Sequence, residues 1–419
     1  MPIGGTTLHE AVDALCDRIE QTDRDLSAYV DEPDRRERLH DEATNLLMCW
    51  PDPGARPPLF GVPLAVKDVM HVDGWVTRAG SRVDPEVIAG QEATVVTRLR
   101  DAGVLVVGKT VTAEFAAKSP GPTRNPHDLT RTPGGSSSGS AAAVAAGTAV
   151  LATGTQTIGS VIRPAAFCGI VGVKPTHGRA SIDGIIAHSP SFDTPGLFGP
   201  DVATVAAAAA VMWDTWDPRA VARPVAGGRL VVPGGAFLAQ VEPAALRHFA
   251  STCRSLADAD WTVTELDLVP DLDDIRAHNL VVNRYELAEV HAQWFDAHRD
   301  GYASSTIDSI EEGRRISPED YAASCKQLAE FRLDLDDRLV ASDATAVLTP
   351  AALGPAPVGI ETTGNPAMAL PWTYAGLPAI SLPSGTTAAG LPLGVQVVGR
   401  RGDDEALVAL AGFLAGRLV

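Results

Sequence analysis

Two serines, Ser136 and Ser160, are the residues of this 419-residue chain whose type and setting could do chemistry. Each belongs to a loop rich in glycine and small side chains, Gly134 to Ser138 and Gly154 to Ser160, and they stand 24 positions apart. The chemistry within their reach is acyl transfer. A serine hydroxyl is a weak nucleophile that needs a nearby base, and the carbonyl oxygen it charges needs preorganised N–H donors. The run Thr157-Ile158-Gly159-Ser160 can supply those donors from its backbone if it bends around the nucleophile, and Gly159 makes the bend sterically cheap. Neither loop contains a base.

The elements between the loops must bring them together. Ser140 to Ala149 is an alanine-rich run of high helix propensity and little side-chain volume, which suits a closely packed internal helix. Val150 to Thr153 reads as a short buried strand, Gly154 to Ser160 as a tight loop and Ile170 to Val173 as another apolar strand. A helix and a strand that double back place the two serine loops side by side.

The segments GGSSSGS (134–140), GTQTIGSVIRPA (154–165) and CGIVGVKPT (168–176), together with GVPLAVKDVM (61–70), resemble the signature of the amidase signature family, serine hydrolases of amide bonds. The resemblance implies a catalytic triad of Lys67, Ser136 and Ser160, with the backbone N–H groups of Thr157, Ile158, Gly159 and Ser160 as the oxyanion hole and neither metal nor cofactor. The physics agrees with that assignment. Lys67 follows the apolar run Pro63-Leu64-Ala65-Val66, so its amine is expected in a dry interior that disfavours the charge and lets it accept a proton. Ser136 then relays a proton between Ser160 and Lys67 as Ser160 forms an acyl-enzyme. Singly, a lysine after a strand is ordinarily a solvated strand end, and loop serines are ordinarily turn formers. The ordered set is what singles these three out. Ser137, Ser138 and Ser140 are read as structural, bonding loop backbone or starting the helix.

Three positions depart from the family pattern. Gln156 stands for an acidic residue, Ile158 for a glycine, and the arginine expected two places after the nucleophile comes three places after it as Arg163, with Pro164 still in register. The resemblance is strongest at 59–81 and 133–176 and good at 345–418. It implies an α/β fold, a large mixed β-sheet covered by helices on both faces. The expected organisation is a single domain over 1–419, with the signature core at 59–200, a helical segment at about 273–342 where specificity varies, and closing strands at 345–418. That helical segment is short, so the pocket is expected to stay comparatively open.

Two other motifs are decoys. Gly103 to Thr110 spells GxxxxGK[ST], but its variable positions are four consecutive Val and Leu residues that read as a buried strand rather than a phosphate cradle. Gly135 to Gly139 spells GxSxG, yet turn-forming residues precede it where that motif needs a strand. Elsewhere, helices are expected over 7–22 with Thr6 or Thr7 as N-cap, 34–47, 93–101, 202–213 and 243–258. Strands are expected at 230–233 and 261–268, and Ser317-Pro318-Glu319-Asp320 is a helix start.

Hydrophobic residues make up 45% and aromatics 5%, enough for a large core of Val, Leu, Ile and Ala. A formal net charge of −18 disfavours nucleic acid and anionic membrane as partners. Five cysteines without CxxC spacing fit reduced thiols, and the ten histidines show no metal-binding pattern. The expected protein is cytoplasmic, with a small-molecule amide substrate and a homodimer as the one assembly allowed for. The leading reading is an amidase acting on linear, non-peptide amides. Beside it stand an amidotransferase component that draws ammonia from glutamine and a catalytically silent ligand-binding member of the fold.

Overall fold

The computed structural model describes residues 7–223, 225 and 227–418. Among them ten strands form one sheet: β1 (Pro63–Lys67), β2 (Leu105–Thr110), β3 (Leu151–Gln156), β4 (Val171–Lys174), β5 (Thr194–Gly199), β6 (Gly228–Pro233), β7 (Trp261–Leu266), β8 (Ala346–Pro350), β9 (Ala379–Thr386) and β10 (Pro392–Val398). Their spatial order is β2-β1-β3-β5-β4-β9-β10-β8-β6-β7. Pairing is parallel where β1 meets β2 and β3, and where β6 meets β7 and β8; the middle of the sheet is antiparallel. It is therefore a mixed sheet.

Side chains alternate between its faces, as the two-residue period of a strand requires. Leu64, Val66, Val106, Leu151, Leu197, Ile380 and Val397 pack on one face with helices Thr94–Asp101, Val202–Met212 and Asp404–Leu418. Ala65, Val107, Ala152 and Phe198 pack on the other with helices Leu8–Leu26 and Ser138–Ala145. Further along that face Val231, Val347 and Val398 meet helices Leu370–Tyr374 and Pro318–Ala341. Both faces are covered because strands apolar on both sides must be dry on both.

Local expectations mostly hold. Thr7 caps its helix in a reciprocal pair with Glu10, while Thr6 lies outside the described residues. Ser317 accepts from Asp320 N as its N-cap. Leu105–Thr110 is a fully buried strand, not a phosphate loop, and Lys109 pairs with Asp68 at 2.9 Å.

Several boundaries differ, most of them around the serine loops. The alanine-rich helix is Ser138–Ala145, starting earlier and ending earlier than 140–149. β3 continues to Gln156 because Ala152 to Gln156 pairs with Phe198 to Thr194 of β5, a strand not anticipated from sequence. Only Thr157 to Val161 remains as the loop. A short helix, Ile162–Cys168, then follows; Pro164 sits in its first turn, where N–H groups have no intrahelical partner anyway.

Candidate active site

The parallel pairing of β1 with β3 brings the carboxyl ends of both strands to one edge of the sheet. Lys67 is the last residue of β1. Helix Ser138–Ala145 runs back against β3, so the start of the helix meets the end of the strand. The Ser137 hydroxyl accepts from Thr155 N and donates to Thr155 O, both at 3.3 Å, across 18 positions of sequence. Ser136 thereby arrives beside Lys67. The helix start can press this closely because residue 139 is glycine; a Cβ there would lie 2.1 Å from the Ala28 carbonyl oxygen.

Lys67 is fully buried. Its Nζ donates to Ser136 Oγ at 2.8 Å and to Thr155 Oγ1 at 2.7 Å. Burial lowers its pKa to about 7, against the opposing pull of the Asp193 carboxylate. An amine near half-neutral at physiological pH, bonded to a hydroxyl, can take that hydroxyl's proton. The other serines of the loop are engaged structurally: Ser138 Oγ donates to Gly134 O at 2.8 Å, and Ser140 Oγ bonds Thr110 Oγ1 at 2.7 Å.

Ser136 and Ser160 line the same cavity, of about 340 Å³; Lys67 stands behind Ser136 and does not line it. Ser160 lies between β3 and helix Ile162–Cys168, and among the described residues its hydroxyl is held by no hydrogen bond. The N–H groups of Ile158, Gly159 and Ser160 likewise find no acceptor there, which leaves them available to an oxygen in the cavity.

This loop is clamped on both sides. Thr157 Oγ1 donates to Asp193 Oδ1 at 2.6 Å, and Asp193 Oδ2 accepts from His188 N at 2.6 Å and Ser189 N at 2.9 Å. Opposite, Thr373 Oγ1 donates to Ile158 O at 2.7 Å. Gln156 Oε1 accepts from Val161 N and Ile162 N at 2.8 and 3.0 Å, and Gln156 Nε2 donates to Thr373 Oγ1 at 2.9 Å. Thr155, Asp193 and Thr373 carry no sequence signal of their own. Asp193 and Thr373 lie 36 and 215 positions from the loop residues they hold, and only the folded sheet brings them there.

Arg163 is buried at 4% exposure, lines the cavity and has only neutral hydrogen-bond partners among the described residues. It donates to Thr363 O at 2.7 Å, to Thr363 Oγ1 at 3.1 Å and to Gly135 O at 2.5 Å, while Nη1 has no partner among the described residues. Burial lowers its pKa to about 10, so it stays charged at neutral pH. Helix Leu272–Val290 contributes Asn279, Leu280, Asn283 and Arg284 to one wall. At the mouth Lys118, Leu280 and Glu361 remain exposed, so the helical segment forms a wall without sealing the entrance. Among the described residues no cluster of His, Cys, Asp and Glu could hold a metal, and no helix is long and apolar enough to cross a membrane.

The family model described as Amidase matches residues 10–408 of the chain. The A-subunit of the glutamyl-tRNA(Gln) amidotransferase of Koribacter versatilis is 32% identical over 445 residues, covering 94% of this chain and 92% of that protein. A crystal structure of an amidase aligns with TM-score 0.88 at 31% identity, covering 99% of this chain and 97% of the other. The peptide amidase of Stenotrophomonas maltophilia aligns with TM-score 0.81 at 26% identity, covering 99% and 94%.

Proposed function

Because the chain belongs to the amidase signature family, we propose that it hydrolyses the C–N bond of a small linear, non-peptide amide through an acyl-enzyme on Ser160. The observation that carries this reading is the 2.8 Å bond from Lys67 Nζ to Ser136 Oγ, at the back of a cavity that Ser136 and Ser160 share. Neutral Lys67 accepts the Ser136 proton, Ser136 takes that of Ser160, and Ser160 Oγ attacks the amide carbon. The carbonyl oxygen gains the negative charge within reach of the N–H groups of Thr157 to Ser160. The relay then runs backward: the proton passes through Ser136 to the amide nitrogen, the C–N bond breaks, and ammonia or an amine leaves. Water, deprotonated by the same relay, attacks the ester and releases the carboxylate.

Arg163 bears on the substrate. A buried cation with no counter-ion is costly unless a ligand supplies one, so an acyl group carrying a carboxylate fits this cavity better than a neutral one. A panel of amides assayed for ammonia or amine release, with Ser160→Ala as blank, tests both parts. Amides with a carboxylate on the acyl side should show a kcat/KM at least about tenfold above their neutral esters. Equal rates would remove Arg163 from recognition, and release by Ser160→Ala would remove the nucleophile.

A second reading has its own support, since relatives 32% and 35% identical to the chain are glutamyl-tRNA(Gln) amidotransferase A-subunits. Glutamine is itself an amide that bears a carboxylate. Ammonia release from glutamine that rises when an added amidotransferase partner and acceptor are present favours transfer. Turnover of other amides with no such stimulation favours simple hydrolysis.

A further inference from the structure

The Gln156 side chain has only one orientation compatible with its neighbours. The backbone N–H groups of Val161 and Ile162 both point at one of its terminal atoms, at 2.8 and 3.0 Å, and that atom must be the oxygen. Nε2 is then the atom 2.9 Å from Thr373 Oγ1, and the amide can only donate. Thr373 has a single hydroxyl proton. With Gln156 donating to its oxygen, that proton is free for the Ile158 carbonyl at 2.7 Å. Gln156 is fully buried and Thr373 is 2% exposed, so water does not compete for either group.

The consequence reaches the cavity through one peptide plane. In a trans peptide the C=O of one residue and the N–H of the next point in opposite directions. A carbonyl of Ile158 tied to Thr373 therefore turns the Gly159 N–H away from Thr373, which does not line the cavity, whereas Ser136, Gly159 and Ser160 do. We propose that Gln156 and Thr373 are positioning residues that aim the Gly159 N–H at the developing oxyanion. Gln156 sets the direction of the Thr373 proton, and that proton sets the peptide. This accounts for a neutral side chain at 156 where the family pattern has an acid. An ionised carboxylate there has no proton to give. It would draw the Thr373 hydroxyl to itself and leave the Ile158 carbonyl without a donor. The inference rests on the reading of 157–160 as the oxyanion loop.

The test uses a fluorophosphonate, which needs no knowledge of the natural substrate. The Ser160 Oγ–P bond forms, the P–F bond breaks with loss of fluoride, and the serine proton passes through Ser136 to Lys67. The phosphonyl oxygen takes the place of the oxyanion. Rates of labelling are compared for the full-length wild type, Thr373→Val, Thr373→Ser and Gln156→Glu, with Ser160→Ala as blank. Thr373→Val and Gln156→Glu should lower the maximal labelling rate about 10- to 100-fold while changing the half-saturating concentration little. Thr373→Ser, which keeps the proton, should stay within about threefold of wild type. The midpoint of the pH profile should not move in either Thr373 variant, since Lys67 is untouched and no charge is added near it. Undiminished labelling of Thr373→Val or Gln156→Glu overturns the proposal, as does a Thr373→Ser enzyme as slow as Thr373→Val or a midpoint shifted in either Thr373 variant. If the valine variant fails to fold, the isosteric Gln156→Glu decides alone. A wild type not labelled at Ser160 sinks the nucleophile reading itself and this inference with it, whereas labelled wild type with unaffected variants sinks the inference alone.

Discussion

Two strands of this sheet end in a buried lysine, and they do different things. Lys67 closes β1 and Lys174 closes β4; both are fully buried, and burial takes both to a pKa of about 7. Lys67 Nζ meets two hydroxyls, at 2.8 and 2.7 Å, one of which opens onto the cavity. Among the described residues Lys174 Nζ bonds only the carbonyl oxygen of Pro175, at 2.6 Å, and it does not line that cavity. A carbonyl has no proton to give. A neutral buried amine is therefore not by itself a base in any useful sense; it becomes one when a proton donor connects it to a place where substrate can bind.

The comparison is sharpest at Lys67. Lys67→Met should lower amide turnover by about 10³-fold or more while leaving the circular dichroism spectrum unchanged. Turnover near the wild-type level would end the distinction between the two lysines. Ser136→Ala comes next, with an expected loss of about 10²- to 10³-fold from cutting the link between base and nucleophile. Near-normal turnover in that variant would mean that Lys67 reaches Ser160 by another route.

The third expectation concerns pH. Because Lys67 must be neutral to accept a proton and its pKa lies at about 7, kcat/KM should climb about tenfold per pH unit below 7 and level off above it. A flat profile from pH 5 to 9 would remove it from the rate. Lys174→Met should leave both the rate, within about twofold, and this midpoint unchanged.

Its effect should appear in stability instead, and the sign follows from the lowered folded-state pKa. Between about 7 and the ordinary lysine value the unfolded chain holds a proton that the folded chain has released, so wild-type stability rises with pH across that window. Below it the full penalty of a buried charge applies. The Tm of Lys174→Met relative to wild type should accordingly be highest near pH 6 and fall as the pH approaches 10. A difference in Tm independent of pH would show that Lys174 is already neutral, or equally solvated, in both states.

The decoy motif at Gly103 to Thr110 and the real one at Gly134 to Ser140 differ in an instructive way. Both are short patterns built on glycine, and the first fails as a phosphate cradle because four large aliphatic residues make a strand rather than a loop. The second is legible because its neighbours, an alanine run and two more signature segments, agree with it. Where the sequence falls short, the cause is long-range pairing. β3 runs three residues past Thr153 because β5 pairs with it, and nothing local to Gly154-Thr155-Gln156 announces that partner. Helix Ile162–Cys168 is hidden because a proline within a seven-residue segment reads as a break until the helix is seen to start two residues before it.

The order of residues by itself determined the chemical inventory: a lysine behind an apolar run, two serines in glycine-bearing loops, and strands apolar on both faces that demand cover on both. These are properties of side-chain type and period, and they travel with the chain. Tertiary structure alone decided which lysine has a hydroxyl to take a proton from and which hydroxyl holds the Ile158 carbonyl. Asp193 and Thr373 come to the loop from distant parts of the chain, and a hydrogen bond depends on tenths of an ångström that no spacing in sequence encodes.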